Sequence, residues 1–417
     1  MQRFDALLRD LLAATPSTTT LGLAVSGGSD SLALALLAHR WAKQHGIRLL
    51  AFTVDHGLRP ESASEATQVA QWLAPYGIAH TTLRWEYSSP LRGNLQALAR
   101  EARYALLVEA CHARNITHCL LGHTADDQAE TIALRHARLS GPVGLSGMSA
   151  RKQQDDVLFL RPLLTHRRAE LRAFLSAQQQ PWMEDPSNES LDFARIRLRR
   201  GMEQQPDLVA HWLRLGALEA PKRQALEQDY HTLAAHFHLH PLGFLELPIS
   251  AYDELPPESR LYALSQMLTS LSGRLTAPRY TELQRLDATG SGTLHGCILR
   301  RTPSRLRIVR EPANVTVPTT HRRNRWDGRF LIQNSALDDF SPLGPKGLSS
   351  LRRLGVQIPH IPATVLHTIP VQRGVEDRVD LPHMYPHTHP AIGMFPAVFS
   401  PAKPLVELPF YSVQQPL

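Results

Sequence analysis

Cysteine is scarce. Cys111, Cys119 and Cys297 are the only three in 417 residues, and no two of them form a CxxC pair. That excludes a disulfide scaffold and paired-cysteine metal sites, and it suits a reducing compartment such as the cytoplasm. Long apolar runs are missing too. Nothing approaches the roughly 20 residues that span a bilayer. The N-terminus, MQRFDALLRDLLAA, carries charges inside its apolar pattern and reads as an amphipathic helix and not a signal peptide. Lysine is also rare: Lys43, Lys152, Lys222, Lys346 and Lys403 are the only five among 45 basic residues. The net charge of +7 is therefore carried by arginine, which grips phosphate with two donors and stacks on bases. This favours a polyanionic partner.

What is present first is alternation. Buried-strand signals at Leu21–Val25, Arg48–Asp55, His80–Trp85 and Thr117–Gly122 are separated by helical periodicity over Ser29–Gln44, Glu61–Ala74, Asn94–Arg114 and Asp126–His136. Strands linked by crossover helices predict an α/β fold with a doubly wound parallel sheet, whose ligands sit beyond the carboxyl ends of the strands. Residues 1–200 are expected to form this domain. Helical signals at Asp207–Phe237, Leu261–Leu271 and Arg279–Leu286 predict a helical linker over 201–290. TLHGCILRR, RLRIVRE and GRFLIQ predict a smaller β-rich domain over 291–417. The run PHMYPHTHP (382–390) is broken by prolines and reads as a loop, not a metal site.

The densest unit is SGGSDS, which follows the first strand and opens the first crossover helix. Gly27 and Gly28 let an anion approach the backbone, Ser26, Ser29 and Ser31 add hydroxyl donors, and the helix start points free N–H groups at the same place. No lysine follows the loop, which separates it from the common nucleotide-triphosphate loop. Asp30 stands among the expected phosphates, where a carboxylate makes sense if it helps to hold Mg²⁺. Three strands on, LGHTADDQAET sets Asp127 and Glu130 three apart on one helix face, with Asp126 off that face. Paired carboxylates beside phosphates need a cation between them, either Mg²⁺ or the ammonium of a substrate. Acids at a helix start are also favourable in their own right.

SGGSDS resembles the pyrophosphate loop of the N-type ATP pyrophosphatases. VDHGLRPES, NLQALAREARY, LGHTADDQAET, GLSGM and RPLL, in that order between about Ala24 and Asn188, are similar to the tRNA(Ile)-lysidine synthetase family. The resemblance implies an adenine nucleotide alpha-hydrolase-like fold and a two-step reaction. ATP adenylates C2 of the wobble cytidine in the isoleucine tRNA with a CAU anticodon, releasing pyrophosphate. Free L-lysine then displaces AMP to give lysidine. It implies that Ser26, Gly27, Gly28, Ser29, Asp30, Ser31, Asp55, His56 and His123 border ATP, that Arg103 faces its phosphates, and that Asp127 and Glu130 bind lysine, with Asp127 as base. Family members are often dimers. Arg195, Arg197, Arg199 and Arg200 are expected to touch tRNA, although the asparagine usual in this stretch is absent. GTLHGCILRR, RLRIVRE and HRRNR are similar to the family's tRNA-docking region. A thiolase of the same superfamily, or a non-catalytic nucleotide- or RNA-binding protein, are the competing readings.

Overall fold

A computed structural model describes residues 2–13, 19–58, 61–87, 95–184, 194–316, 325–332, 339–358, 360–373, 379–382 and 394–413. Two compact units result, one formed by residues 1–224 with 408–417 and the other by residues 225–407. The limits expected at 200 and 290 fall inside these units. No helix among the described residues is long and apolar enough to cross a membrane.

In the first unit, α1 (Gln2–Ala13) precedes β1 (Thr20–Ala24), α2 (Ser29–His45), β2 (Arg48–Asp55), α3 (Ser62–Leu73), β3 (Ala79–Arg84), α4 (Leu95–His112), β4 (His118–Leu121) and α5 (Ala125–His136). The short α6 (Pro142–Leu145), β5 (Arg151–Gln154), β6 (Val157–Leu160), α7 (Arg168–Ala177) and α8 (Ala194–Gln204) follow, and α9 (Pro206–Ala234) begins in this unit, its residues from 225 on counting to the second. The sheet order is β3-β2-β1-β4-β6-β5. Every pair is parallel except the β5–β6 edge. The doubly wound parallel sheet expected from the alternation is the one found. β1 is flanked by β2 and β4, so the chain reverses its direction of winding there, and the crevice at the carboxyl ends of β1 and β4 is the natural ligand site.

Apolar residues on both sheet faces give the reason for this layering. Leu21 and Leu23 of β1 pack with Leu32, Leu36 and Trp41 of α2 and with Leu171 and Leu175 of α7. On the opposite face Phe52, Cys119 and Phe159 pack with Tyr104, Leu107 and Cys111 of α4. Strands covered on both sides must be near-continuously apolar, as HCLL and VLFL are. The chain's last described residues also belong to this unit. Tyr411 N–H donates to Ser149 Oγ at 3.0 Å, its carbonyl accepts from Ala150 N–H at 3.1 Å, and the Arg223 guanidinium lies 4.0 Å from the ring centre of buried Phe410.

The second unit contains β7 (His238–His240), β8 (Phe244–Pro248), α10 (Ile249–Asp253), α11 (Pro257–Leu271), α12 (Tyr280–Thr289), β9 (Gly292–Leu294), β10 (Cys297–Arg301) and β11 (Arg305–Arg310). Their antiparallel sheet runs β7-β8-β11-β10-β9. Leu264, Met267, Leu268 and Leu271 of α11 share one core with Leu245, Leu247, Leu299 and Ile308 of that sheet. The expected helical segment and the strands after it are thus two layers of one body. β12 (Arg325–Trp326), β13 (Phe330–Ile332), β14 (Phe340–Pro342), α13 (Gly344–Arg353), α14 (Ala363–Leu366), β15 (Pro370–Arg373), β16 (Val379–Pro382), β17 (Met394–Phe395) and β18 (Ala397–Phe399) complete the unit, in sheets β12-β13-β18 and β14-β15-β16-β17. Most of the histidine-rich run lies outside the described residues.

Candidate active site

The loop between β1 and α2 is shaped by its small residues. Gly27 has φ +89°, a left-handed conformation that glycine adopts without strain. A Cβ there would stand 2.9 Å from Met183 Sδ and 3.0 Å from Val69 Cγ2. Gly28 caps α2 with extended backbone and no side-chain cap, so the first N–H groups of the helix take no partner from a capping side chain. Ser31 Oγ accepts from Ser26 N–H at 3.1 Å and donates to the Gly28 carbonyl at 2.9 Å, which fixes the curvature of the loop. On the other side of the crevice, a Cβ at Gly122, just after β4, would come within 3.1 Å of Ser31 Cα. The two loops therefore touch through backbone. Gly27→Ala is expected to destabilise the folded unit by about 1–2 kcal/mol, the cost of a left-handed conformation for a residue with a Cβ. Denaturant unfolding of the variant beside wild type checks this.

The loop between β4 and α5 supplies the carboxylates. Thr124 caps α5: its Oγ1 accepts from Asp127 N–H, while Asp127 Oδ2 accepts from Thr124 N–H at 2.9 Å and from Thr124 Oγ1 at 3.1 Å. This capping box leaves Asp127 Oδ1 facing the crevice. Glu130, one turn on, is buried. Asp126 points away from them, as its sequence position suggests, and holds the start of α7 by accepting from Arg167 Nε and Nη2 and from Arg168 N–H.

Sequence reasoning missed Arg168. From the first turn of α7 its Nε donates to Asp30 Oδ2 at 3.0 Å and its Nη2 to Asp127 Oδ1 at 3.2 Å, and Nη1 lies 3.6 Å from Glu130 Oε1. One guanidinium thus joins the glycine-rich loop to the acidic pair. Burial works against its charge, but Asp127, Asp30 and Glu130 together outweigh that and hold its pKa above the ordinary arginine value. Burial pushes the Asp30 carboxyl up, and Asp127 adds to the effect, more than Arg168 and Ser29 pull it down. The only signal in the sequence is a basic pair opening a helix, which a chain this rich in arginine offers in many places.

Arg199, expected to touch tRNA, has a carboxylate partner within the site. Assigned to RNA from its charge, it donates from Nε to Glu130 Oε1 at 2.8 Å and from Nη2 to Glu130 Oε2 at 3.3 Å. Arg200 is exposed on the same helix, and the side chains of Arg195 and Arg197 fall outside the described residues. Asp55 and His56 end β2. Asp55 accepts from Gly57 N–H at 2.8 Å, and His56 meets Trp85 edge to face with ring centres 5.9 Å apart. Burial pulls the pKa of His56 down, and the charge of Arg103 adds to this. Its guanidinium also lies 5.9 Å from the ring centre of Tyr104. His123 sits in the loop after β4, between Gly122 and the Thr124 cap. In the second unit, basic side chains of the expected docking strands pair with acids of the same unit: Arg301 with Asp253 at 2.6 Å, and Arg305 and Arg307 with Glu246 at 3.0 and 2.5 Å.

The fold and this loop define a PP-loop enzyme, and residues 2–205 match the PP-loop domain family. Curated relatives extend the likeness well beyond that domain. A tRNA(Ile)-lysidine synthase of Ruegeria pomeroyi is 37% identical over 79% of this chain and 80% of its own length. One of Hyphomonas neptunium is 38% identical over 70% of this chain and 82% of its own length. One of Wolbachia pipientis is 33% identical over 74% of this chain and 76% of its own. This chain belongs to the tRNA(Ile)-lysidine synthase family. Among solved structures, the U34-tRNA thiolase NcsA from Methanococcus maripaludis matches at 16% identity and TM-score 0.44, over 52% of this chain and 78% of that one.

Proposed function

We propose that the chain ligates L-lysine to C2 of the wobble cytidine of the CAU-anticodon isoleucine tRNA at the expense of ATP. The observation that carries the reading is the single guanidinium of Arg168 bridging Asp30 of the phosphate loop to Asp127 and Glu130. Phosphate-binding and ammonium-binding groups share one crevice, as a reaction joining an ATP-activated carbonyl to an amine requires.

In the first step the cytidine O2 attacks the α-phosphorus and pyrophosphate leaves. Ser26, Gly27, Gly28, Ser29 and Ser31 cradle the leaving group with backbone and hydroxyl donors, Asp55, His56 and His123 border the nucleotide, and Arg103 faces the phosphates. The residues fit a magnesium ion that is bound, as is usual for this ion, through one carboxylate and substrate phosphates. Asp30 is the carboxylate that would hold it, and the ion would neutralise phosphate charge. In the second step the lysine ε-amine attacks C2, the C2–O bond breaks, and AMP departs with that oxygen. Asp127 and Glu130 seat the amine, and Asp127 takes its proton.

The thiolase alternative needs an accessible, reactive cysteine or a cluster ligand set. All three cysteines are buried, Cys119 sits against Cys111, and that contact together with burial pushes the Cys119 thiol well above its ordinary value. Burial likewise pushes Cys297 up to about 12. Incubating the protein with ATP, Mg²⁺, labelled L-lysine and a CAU-anticodon isoleucine tRNA transcript is expected to make the label acid-precipitable. Sulfur incorporation in a parallel thiolation assay, without lysine incorporation, would reverse the choice.

A further inference from the structure

Glu130 is the most enclosed carboxylate of the site, with its side chain 1% exposed, and both of its oxygens are engaged by one arginine of the chain. The same Arg199 guanidinium reaches to 3.9 Å from Asp127 Oδ1. A cation of the protein therefore occupies the carboxylate pair that the proposed reaction reserves for the substrate amine. With Arg199 gripping Glu130 in a two-pronged pair and Arg168 Nη1 3.6 Å from its Oε1, the carboxylate's charge is already met by cations of the protein. The arrangement is built into the packing. Met202, one turn beyond Arg199 on α8, is buried against Ala129 and Ala133 of α5, which presents Arg199 to Glu130.

The helix that carries Arg199 is also strongly basic in sequence, with Arg195, Arg197 and Arg200 close by. Phosphate binds guanidinium with the same two-pronged geometry as carboxylate, so an RNA backbone at α8 can take Arg199 in exchange for Glu130. The charge count points the same way. Asp30, Asp127 and Glu130 face Arg168 and Arg199, which leaves one net negative charge; losing Arg199 leaves two and makes the pocket markedly more attractive to a cation.

We propose that Arg199 is a specificity-determining residue of the lysine step. In the free protein it closes the lysine seat, and RNA phosphate at α8 draws its guanidinium away and opens it. Free lysine then enters only when the cytidine it must attack is present. The inference rests on the lysine-ligase reading.

Equilibrium dialysis of labelled L-lysine against the full chain, without ATP and with or without the CAU-anticodon isoleucine tRNA, tests it. Wild-type affinity is expected to rise about tenfold or more when tRNA is added, within the range of ordinary coupling between sites. Arg199→Gln should bind lysine without tRNA as tightly as wild type does with it, with little further gain on adding tRNA. Arg199→Lys, which keeps a competing cation, should remain tRNA-dependent. Equal wild-type affinity with and without tRNA overturns the proposal, as does an Arg199→Gln protein that binds lysine more weakly than wild type. Should Arg199→Gln fail to fold, the wild-type comparison and Arg199→Lys still decide. Lysine that binds neither form and is never transferred to tRNA when ATP is supplied refutes the ligase reading itself. Transfer that proceeds with tRNA-independent lysine binding refutes only the role of Arg199.

Discussion

Asp127→Asn is expected to slow lysine transfer to tRNA by about 10²–10⁴-fold, the usual contribution of a positioned acid or base, while leaving the fold and ATP binding in place. The geometry separates the two roles of this side chain. Oδ2 is committed to the start of α5 through Thr124, at 2.9 Å from its N–H and 3.1 Å from its hydroxyl. Asparagine keeps one oxygen for that cap. What it lacks is the negative charge and the proton acceptor that Oδ1 offers to the crevice, where Arg168 now lies 3.2 Å away. Single-turnover transfer of labelled lysine measures the loss, and circular dichroism with nucleotide titration checks that the site persists. A transfer rate within about tenfold of wild type would remove Asp127 from the proton transfer.

The second large effect is on stability and lies in the other unit. Asp327, in the turn between β12 and β13, is fully enclosed and holds two buried arginines. Its Oδ2 accepts from Arg310 Nε at 2.9 Å and from Arg329 Nε at 2.7 Å, and Oδ1 accepts from Arg310 Nη2 and from Thr316 N–H, each at 2.8 Å. Backbone carbonyls take further donors: Gly296 at 2.8 Å and Asn314 from Arg310, and Thr368 at 2.9 Å from Arg329. Removing the one carboxylate strands two buried cations. Asp327→Ala should cost about 3–5 kcal/mol, the usual penalty for breaking a buried pair. For a unit of this size that lowers the melting temperature by roughly 6–20 °C, which calorimetry reads directly. Burial raises the Asp327 carboxyl, but Arg329 and Arg310 outweigh it and hold it below the ordinary aspartate value. The carboxylate's contribution is thus complete above the unfolded value and is lost as pH falls through the lower folded one, so wild type should lose part of its advantage over Asp327→Ala only in strong acid.

The layered first unit was legible because its signals are local. Arg48–Asp55 is an apolar run bounded by turns, and Ser29–His45 repeats its leucines at helical spacing, so both appear where expected. The glycine-rich loop was legible for the same reason: its small residues have a function only in that conformation. Arg168 was not. It lies 41 positions from Asp127 and 138 from Asp30, and nothing local marks one arginine among so many as the bridge. Arg199 was legible as charge and not as partner, since charge predicts an anion without saying whether it is phosphate or Glu130. The layering of α11 and α12 on the β8–β11 sheet was also hidden. Periodicity shows that a helix has an apolar face but not which sheet covers it.

The return of residues 408–413 to the first unit has a consequence in time. In chain order the second unit is an insertion, and the strip that completes the first is synthesised after it. At about 5–20 residues per second, the 183 residues from 225 to 407 take roughly ten to forty seconds to emerge. During that interval the sheet and both carboxylate-bearing loops can already form, while the backbone at Ser149–Ala150 and the face of Arg223 still await Tyr411 and Phe410. The catalytic unit is thus begun before its neighbour is made and finished after it.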